Sequence, residues 1–154
     1  MYLLMVILLL FVFPVASIVT DLLILRRPDA LLFLVGKWFV FWGVGVRLFT
    51  AGIRQSLKPR FTAKEIFQIK SDEPLVIVQE LGFANLSLGL LGLSSIFNLG
   101  WIMPAGIAGG LFYGLAGLKH LLRKQRNVLE NVAMISNLFF FGVIVFYIAG
   151  SLTH

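Results

Sequence analysis

Residues 2–25 read YLLMVILLLFVFPVASIVTDLLIL, and the run stops at Arg26-Arg27-Pro28-Asp29. A helix that crosses the hydrocarbon core of a bilayer needs roughly 20 mostly apolar residues. This stretch supplies them with one charged residue, Asp21, near its end. Pro14 has apolar residues on both sides, so it is expected to kink the helix without ending it. Four further stretches have the same character: residues 30–53, 74–97, 102–122 and 128–152. The fold class that follows is an all-α integral membrane protein, a bundle of five transmembrane helices forming a single membrane domain over residues 1–154. Residues 54–73 are its one sizeable polar linker.

Composition agrees with this reading. Hydrophobic residues make up 59% of the chain and charged residues 13%, about half the charged share of a soluble domain. A water-soluble fold of this length could not hide so much apolar surface. The net charge of +6 invites a nucleic-acid partner, but the basic residues fall between apolar runs and no free basic domain exists to carry that binding. The chain has no cysteine, which excludes disulfides, thiolate nucleophiles and cysteine-ligated metals. Two histidines, His120 and His154, are too few for a histidine-rich metal site, so neither metal nor cofactor is implied.

Local signals place the remaining ends. Asp72-Glu73-Pro74 puts acids and a proline where the third helix begins, matching its exposed N–H groups and dipole. Asn98-Leu99-Gly100 breaks the chain before the fourth. The positive-inside rule then orients the bundle. Arg54, Lys58, Arg60, Lys64 and Lys70 share one side with Lys119, Arg123, Lys124 and Arg126, and the opposite side has only Arg26 and Arg27. Nine against two puts the N-terminus in the cytoplasm and the C-terminus outside. A signal peptide over residues 1–20, cut near Val15-Ala16-Ser17, is disfavoured, because no positive segment precedes the apolar run and the run is too long.

Within the linker, Thr62 and Glu65 stand at capping-box spacing, and Phe61, Ile66 and Ile69 form an apolar stripe opposite Lys64 and Gln68. This pattern predicts a short amphipathic helix in the headgroup region, with anionic lipid headgroups at the cytoplasmic loops as its partner. A plain surface turn is the alternative.

Gly106, Gly110 and Gly114 recur every four residues and share one face of the fourth helix, and the third carries Gly82, Gly89 and Gly92. Small residues let helix backbones approach closely in lipid. The short connection between these two helices predicts that the glycine faces pack on each other. A homo-oligomer or a larger membrane complex is the other use of such faces.

Charges at membrane depth need a partner, water or a function. Arg47, seven residues before Arg54, lies roughly 10 Å deep, and Glu80 roughly 9 Å deep from the same side. Opposite charges at matching depth on consecutive antiparallel helices predict an Arg47–Glu80 ion pair. Tyr113 and His120 share a face of the fourth helix; Glu130 and Asn137 share one of the fifth. Asn85, near mid-membrane, lies about 140° around the third helix from Glu80. Arg47, Glu80, Asn85, Tyr113, His120, Glu130 and Asn137 are therefore the candidates for a cytoplasm-facing polar chamber, in which histidine beside carboxylates permits proton exchange near neutral pH. Asp21 and Lys37 form a second, structural ion pair near the outer surface.

The stretch Glu80-Leu81-Gly82-Phe83-Ala84-Asn85-Leu86-Ser87-Leu88-Gly89-Leu90-Leu91-Gly92 resembles the signature of an uncharacterised, domain-of-unknown-function family of small bacterial multi-pass membrane proteins. Ala51-Gly52-Ile53 and Lys119-His120 extend the likeness over roughly residues 35–145. The resemblance implies a bacterial cell (inner) membrane and carries no mechanism. In size and layout the chain also resembles the DoxX-like four-helix membrane proteins, from which its additional first span departs.

No nucleotide-binding glycine loop, zinc motif or nucleophile–base spacing appears. A non-catalytic bundle that binds a small ligand or lipid, or serves as an accessory membrane subunit, fits this pattern. The alternatives are a small membrane enzyme acting on a lipophilic substrate through the polar chamber, and a proton-coupled oligomeric transporter. Five unequal spans show no clear inverted repeat for the latter.

Overall fold

A backbone carried through long apolar runs satisfies its N–H and C=O groups within the segment, and helix is the regular structure that does so. The computed structural model describes residues 2–26 and 30–153. Five of its helices are long and apolar enough to cross a membrane. They are α1 (Tyr2–Ile24), α2 (Leu31–Leu57), α4 (Leu75–Ser94), α5 (Leu99–Leu121) and α6 (Val128–Leu152); α3 is a single short turn of helix, Phe61–Ile66. The described residues contain no strand. The Arg27-Pro28-Asp29 part of the first stop signal and His154 lie outside the described residues.

Two of the long helices are not uniformly wound. Over Leu8–Val12, α1 widens to π geometry, immediately before the buried Pro14. Proline lacks the N–H and crowds the carbonyl four residues back, and the wider turn accommodates that loss without ending the helix. The second π segment, Val40–Val46, contains Gly43 and Gly45. It ends at Arg47, so the polar end of α2 is reset in phase relative to Lys37 and Trp38. α2 also runs to Leu57, past the expected stop at Ile53, so Gln55 and Ser56 are helical residues.

The bundle is organised around α2. Leu34, Val40 and Val44 of this helix share the fully buried core with Leu10, Ile102, Phe140 and Ile144. Its glycines meet different neighbours. A Cβ at Gly36 would strike Tyr147, and one at Gly43 would strike Phe140, both on α6. One at Gly52 would come within 2.7 Å of the backbone nitrogen of Leu86 and 2.8 Å of the Gly82 carbonyl oxygen, on α4.

This corrects the expected helix pairing. Gly82, Gly89 and Gly92 face α2, meeting Ser56, Phe49 and Gly45 in turn. Gly110 and Gly114 face α6, against Ile144 and Phe141, while a Cβ at Gly106 would lie 3.4 Å from Val40 of α2 and 3.8 Å from Ile144 of α6. The two glycine faces do not meet each other, because α2 and α6 fill them.

The linker folds back under one end of the bundle. Asp72 accepts from Arg60 at 3.1 Å and pairs with Lys64 at 2.8 Å. Hydrogen bonding and charge from Lys64, then the charge of Arg60, hold its carboxyl below the usual carboxylate range. Gln68 takes a positive φ of 58°, which reverses the chain after α3. The expected capping box is not formed: Arg60 holds the N-cap position and no side chain caps the helix. Thr62 is instead buried with Ala63 beneath the bundle.

Gly89→Ala is expected to lower the thermal midpoint of the detergent-purified protein, by about 1–3 kcal/mol of overpacking, because its Cβ meets backbone atoms of Phe49 that cannot rotate away. Gly142→Ala, where nothing lies within 4 Å, should be neutral or slightly stabilising. Equal effects at the two positions would show that the α2–α4 approach is not tight.

Candidate functional site

At the linker end, α1, α2, α4, α5, α6 and the linker surround a cavity of about 400 Å³. Most of its wall is apolar, built from side chains such as Val6, Leu9, Leu48, Phe112 and Phe67. Polar side chains of all five long helices line it, Tyr2 of α1 among them, and those of α2, α4, α5 and α6 are set by local structure.

Arg47 follows the π turn of α2. Its Nη2 donates to Ser136 Oγ at 2.8 Å and to Asn137 Oδ1 at 3.1 Å on α6. The guanidinium lies 4.8 Å from the centre of the Tyr113 ring, a cation–π distance. Tyr113 in turn donates its hydroxyl proton to the Gly43 carbonyl at 2.8 Å. That carbonyl belongs to the widened turn, where the regular backbone ladder is disturbed. Arg47 Nη1 is buried without a hydrogen-bond partner.

Asn85 of α4 is buried and donates to Gln55 Oε1 at 2.7 Å. Gln55 reaches it because α2 continues past Ile53.

The third cluster sits where α5 ends and α6 begins. Asn127 caps α6, its Oδ1 accepting from the Glu130 backbone N–H at 2.7 Å. Its Nδ2 donates to the Glu65 carbonyl at 2.7 Å, tying the linker to the same corner. The fully buried carboxylate of Glu130 faces His120 Nδ1 at 3.0 Å and Arg123 Nη1 at 3.1 Å. An ionised Glu130 accepts a hydrogen bond from Nδ1–H, and in the neutral ring that tautomer leaves Nε2 of His120 as an acceptor. Phe67 stacks on the His120 ring, with centroids 5.9 Å apart. Arg126 donates to the carbonyls of His120 and Leu121 at 3.1 and 3.0 Å, closing the C-terminus of α5.

Arg47, Asn85, Tyr113, His120 and Asn137 thus line one cavity, with Glu130 directly behind His120. Glu80 is not among them. It is exposed and makes no pair with Arg47, whose hydrogen bonds go to α6. The expected ion pair matched depth but not direction: Glu80 lies about 160° around α4 from buried Val78 and Gly82, at about 100° per residue, and so points out of the bundle. At the far end Lys37 Nζ donates to Asp21 Oδ2 at 2.8 Å, and Trp38 Nε1 shares that oxygen at 3.0 Å.

Sequence reasoning missed Ser136, Gln55, Arg123 and Phe67. Arg123 stands seven residues before Glu130, but across a turn, where helical spacing carries no information. Gln55 had a signal, since Arg54-Gln55-Ser56 continues with helix formers after Ile53. Among the described residues, no group of three or more histidines and acids is placed to hold a metal ion.

Over residues 4–151 the chain matches the family described as a family of unknown function (DUF6790), and it belongs to that family. No curated protein and no solved structure matches it.

A double-mutant cycle of Arg47→Gln and Glu80→Gln, read by thermal unfolding in detergent, should be additive within about 0.5 kcal/mol. Coupling above about 1 kcal/mol would mean that the two charges are paired after all.

Proposed function

We propose that this chain is an integral protein of a bacterial inner membrane, whose bundle binds a small lipophilic molecule in the cavity at its cytoplasmic end. The single observation that carries the binding reading is the cavity itself. Its size lies in the range of small-molecule sites, roughly 300–1,000 Å³, and it combines apolar walls with a few converging polar groups already held by their own hydrogen bonds.

Support for insertion comes from the helix lengths and from a coat of exposed apolar side chains, among them Leu23, Ile77, Leu111, Ile135 and Phe146. So large an exposed apolar surface is foreign to soluble monomers. The orientation, with N-terminus, linker and the 122–127 turn inside, rests on the nine lysines and arginines at the linker end. Exposed Lys58, Arg60, Lys70 and Lys124 are suited to anionic headgroups there.

One specific feature favours catalysis as a second reading. His120 lines the cavity with Nδ1 held by buried Glu130, the arrangement that orients a general base.

Both readings are tested by native mass spectrometry of protein released from mild detergent. Wild type should carry a small co-purified adduct that Ala116→Phe, which fills the cavity, loses. Equal adducts in the two would overturn the binding reading. An enzyme would carry different adducts in wild type and His120→Gln, whereas identical ones speak for binding alone. The missing cysteines also allow a direct topology test. An impermeant maleimide outside intact cells should label Gly100→Cys and not Ser71→Cys, and the reverse labelling would invert the orientation.

A further inference from the structure

The charges around the cavity do not balance. Arg47, Arg54, Lys119 and Arg123 line it, and among the described residues no aspartate or glutamate does. The buried acid behind its wall, Glu130, is closed off by His120 and Arg123, so it pairs with them and not with Arg47. Arg54 is engaged by neutral groups, the Phe61 ring at 5.0 Å and the Met5 sulfur at 3.9 Å.

Arg47 is the most isolated of these cations. All its partners are uncharged: a serine hydroxyl, an amide oxygen and a tyrosine ring. Its Nη1 is buried and donates to nothing. A guanidinium removed from water normally has an anion opposite, and the acid at matching depth, Glu80, points out of the bundle. Ser136 and Asn137 both hold Nη2 and leave Nη1 without a partner. That is the geometry for one or two charge-assisted hydrogen bonds to an oxyanion.

Size narrows the partner. At about 30 Å³ per water, the cavity has the bulk of roughly thirteen waters, close to that of one alkyl chain with its head and far below that of a two-chain phospholipid. Along α2, Arg54 lies seven residues nearer the linker than Arg47, roughly 10 Å. The deep cation is therefore reached past a second cation and between apolar walls.

Resting on the binding reading above, we propose that the occupant is a single-chain lipophilic anion, a carboxylate or phosphate monoester, whose charged head is held by Arg47 and whose tail lies along the apolar wall. Arg54 draws the head inward as it enters.

The test measures binding to detergent-purified full-length protein, by thermal shift and native mass spectrometry. The probes are laurate, dodecyl phosphate, dodecanol of matching chain length, and inorganic phosphate. One or both anionic amphiphiles should bind at least about tenfold tighter than dodecanol, and inorganic phosphate should not bind measurably. The ratio of laurate to dodecyl phosphate tells which head is preferred. Arg47→Gln should remove the preference for the anion, and Arg47→Lys should keep part of it. If Arg47→Gln does not fold, the wild-type comparison of acid with alcohol decides alone. Dodecanol binding as tightly as the anions, and lost in Ala116→Phe, would overturn the anion while leaving the binding reading intact. No binding of any amphiphile would overturn both. Tight binding of inorganic phosphate alone would replace the amphiphile with a free oxyanion.

Discussion

Backbone against backbone, without side chains between, is the contact on which this bundle depends. α2 and α4 approach so closely that Gly52 and Gly82, and Gly45 and Gly92, meet with no room for a Cβ. Lipid tails are as apolar as leucine, so helices in a bilayer gain little from hiding apolar groups from one another. They gain from close packing and from hydrogen bonds across the contact. Were the two backbones held apart, Gln55 could not reach Asn85, and α2 would not sit at the centre of its neighbours. The glycines of α2 point in several directions, at α6 through Gly36 and Gly43 and at α4 through Gly45 and Gly52. One helix can therefore touch several others at short range.

The second organising feature is a departure from regular helix. Widening the turn over Val40–Val46 disturbs the backbone ladder and turns everything that follows. Tyr113 satisfies the Gly43 carbonyl, and the same ring carries the Arg47 guanidinium on its face. One aromatic side chain on α5 thus ties a backbone irregularity to the deepest cation in the cavity. A buried polar group without a partner is costly, and here the carbonyl is satisfied while one edge of the cation is not.

The two kinds of charge near the cavity are handled differently. The acid is enclosed: Glu130 is capped through its own N–H by Asn127 and gripped at one oxygen by His120 and Arg123. The deep base has only neutral partners, all on Nη2 or its ring face, and its Nη1 is buried without one, as is Oε2 of Glu130. The linker supplies the floor, through Phe67 against His120 and the Glu65 carbonyl against Asn127. Lys64 and Arg60 on Asp72 hold that floor together from outside.

The spans were legible in the sequence because hydrophobic length is a local property. Residues 74–97, 102–122 and 128–152 differ by at most three residues at any end from Leu75–Ser94, Ile102–Leu121 and Val128–Leu152. Axial position was legible for the same reason, since rise per residue is constant along a helix. That is why Arg47, Tyr113, His120 and Asn137 could be picked out before the cavity was seen. Direction was not legible. Which neighbour Gly89 meets, and whether Arg47 turns to Glu80 or to Ser136, depends on how whole helices settle against each other. A π turn resets every later residue of α2 by about one position, or about 100°. Helical spacing counted across it points the wrong way. The sequence by itself determined five apolar helices, their ends to within three residues except at the C-terminus of α2, and the position of each charge along its helix. Only the tertiary structure decided their partners, because rotation about a helix axis is set by packing with segments far away in the chain.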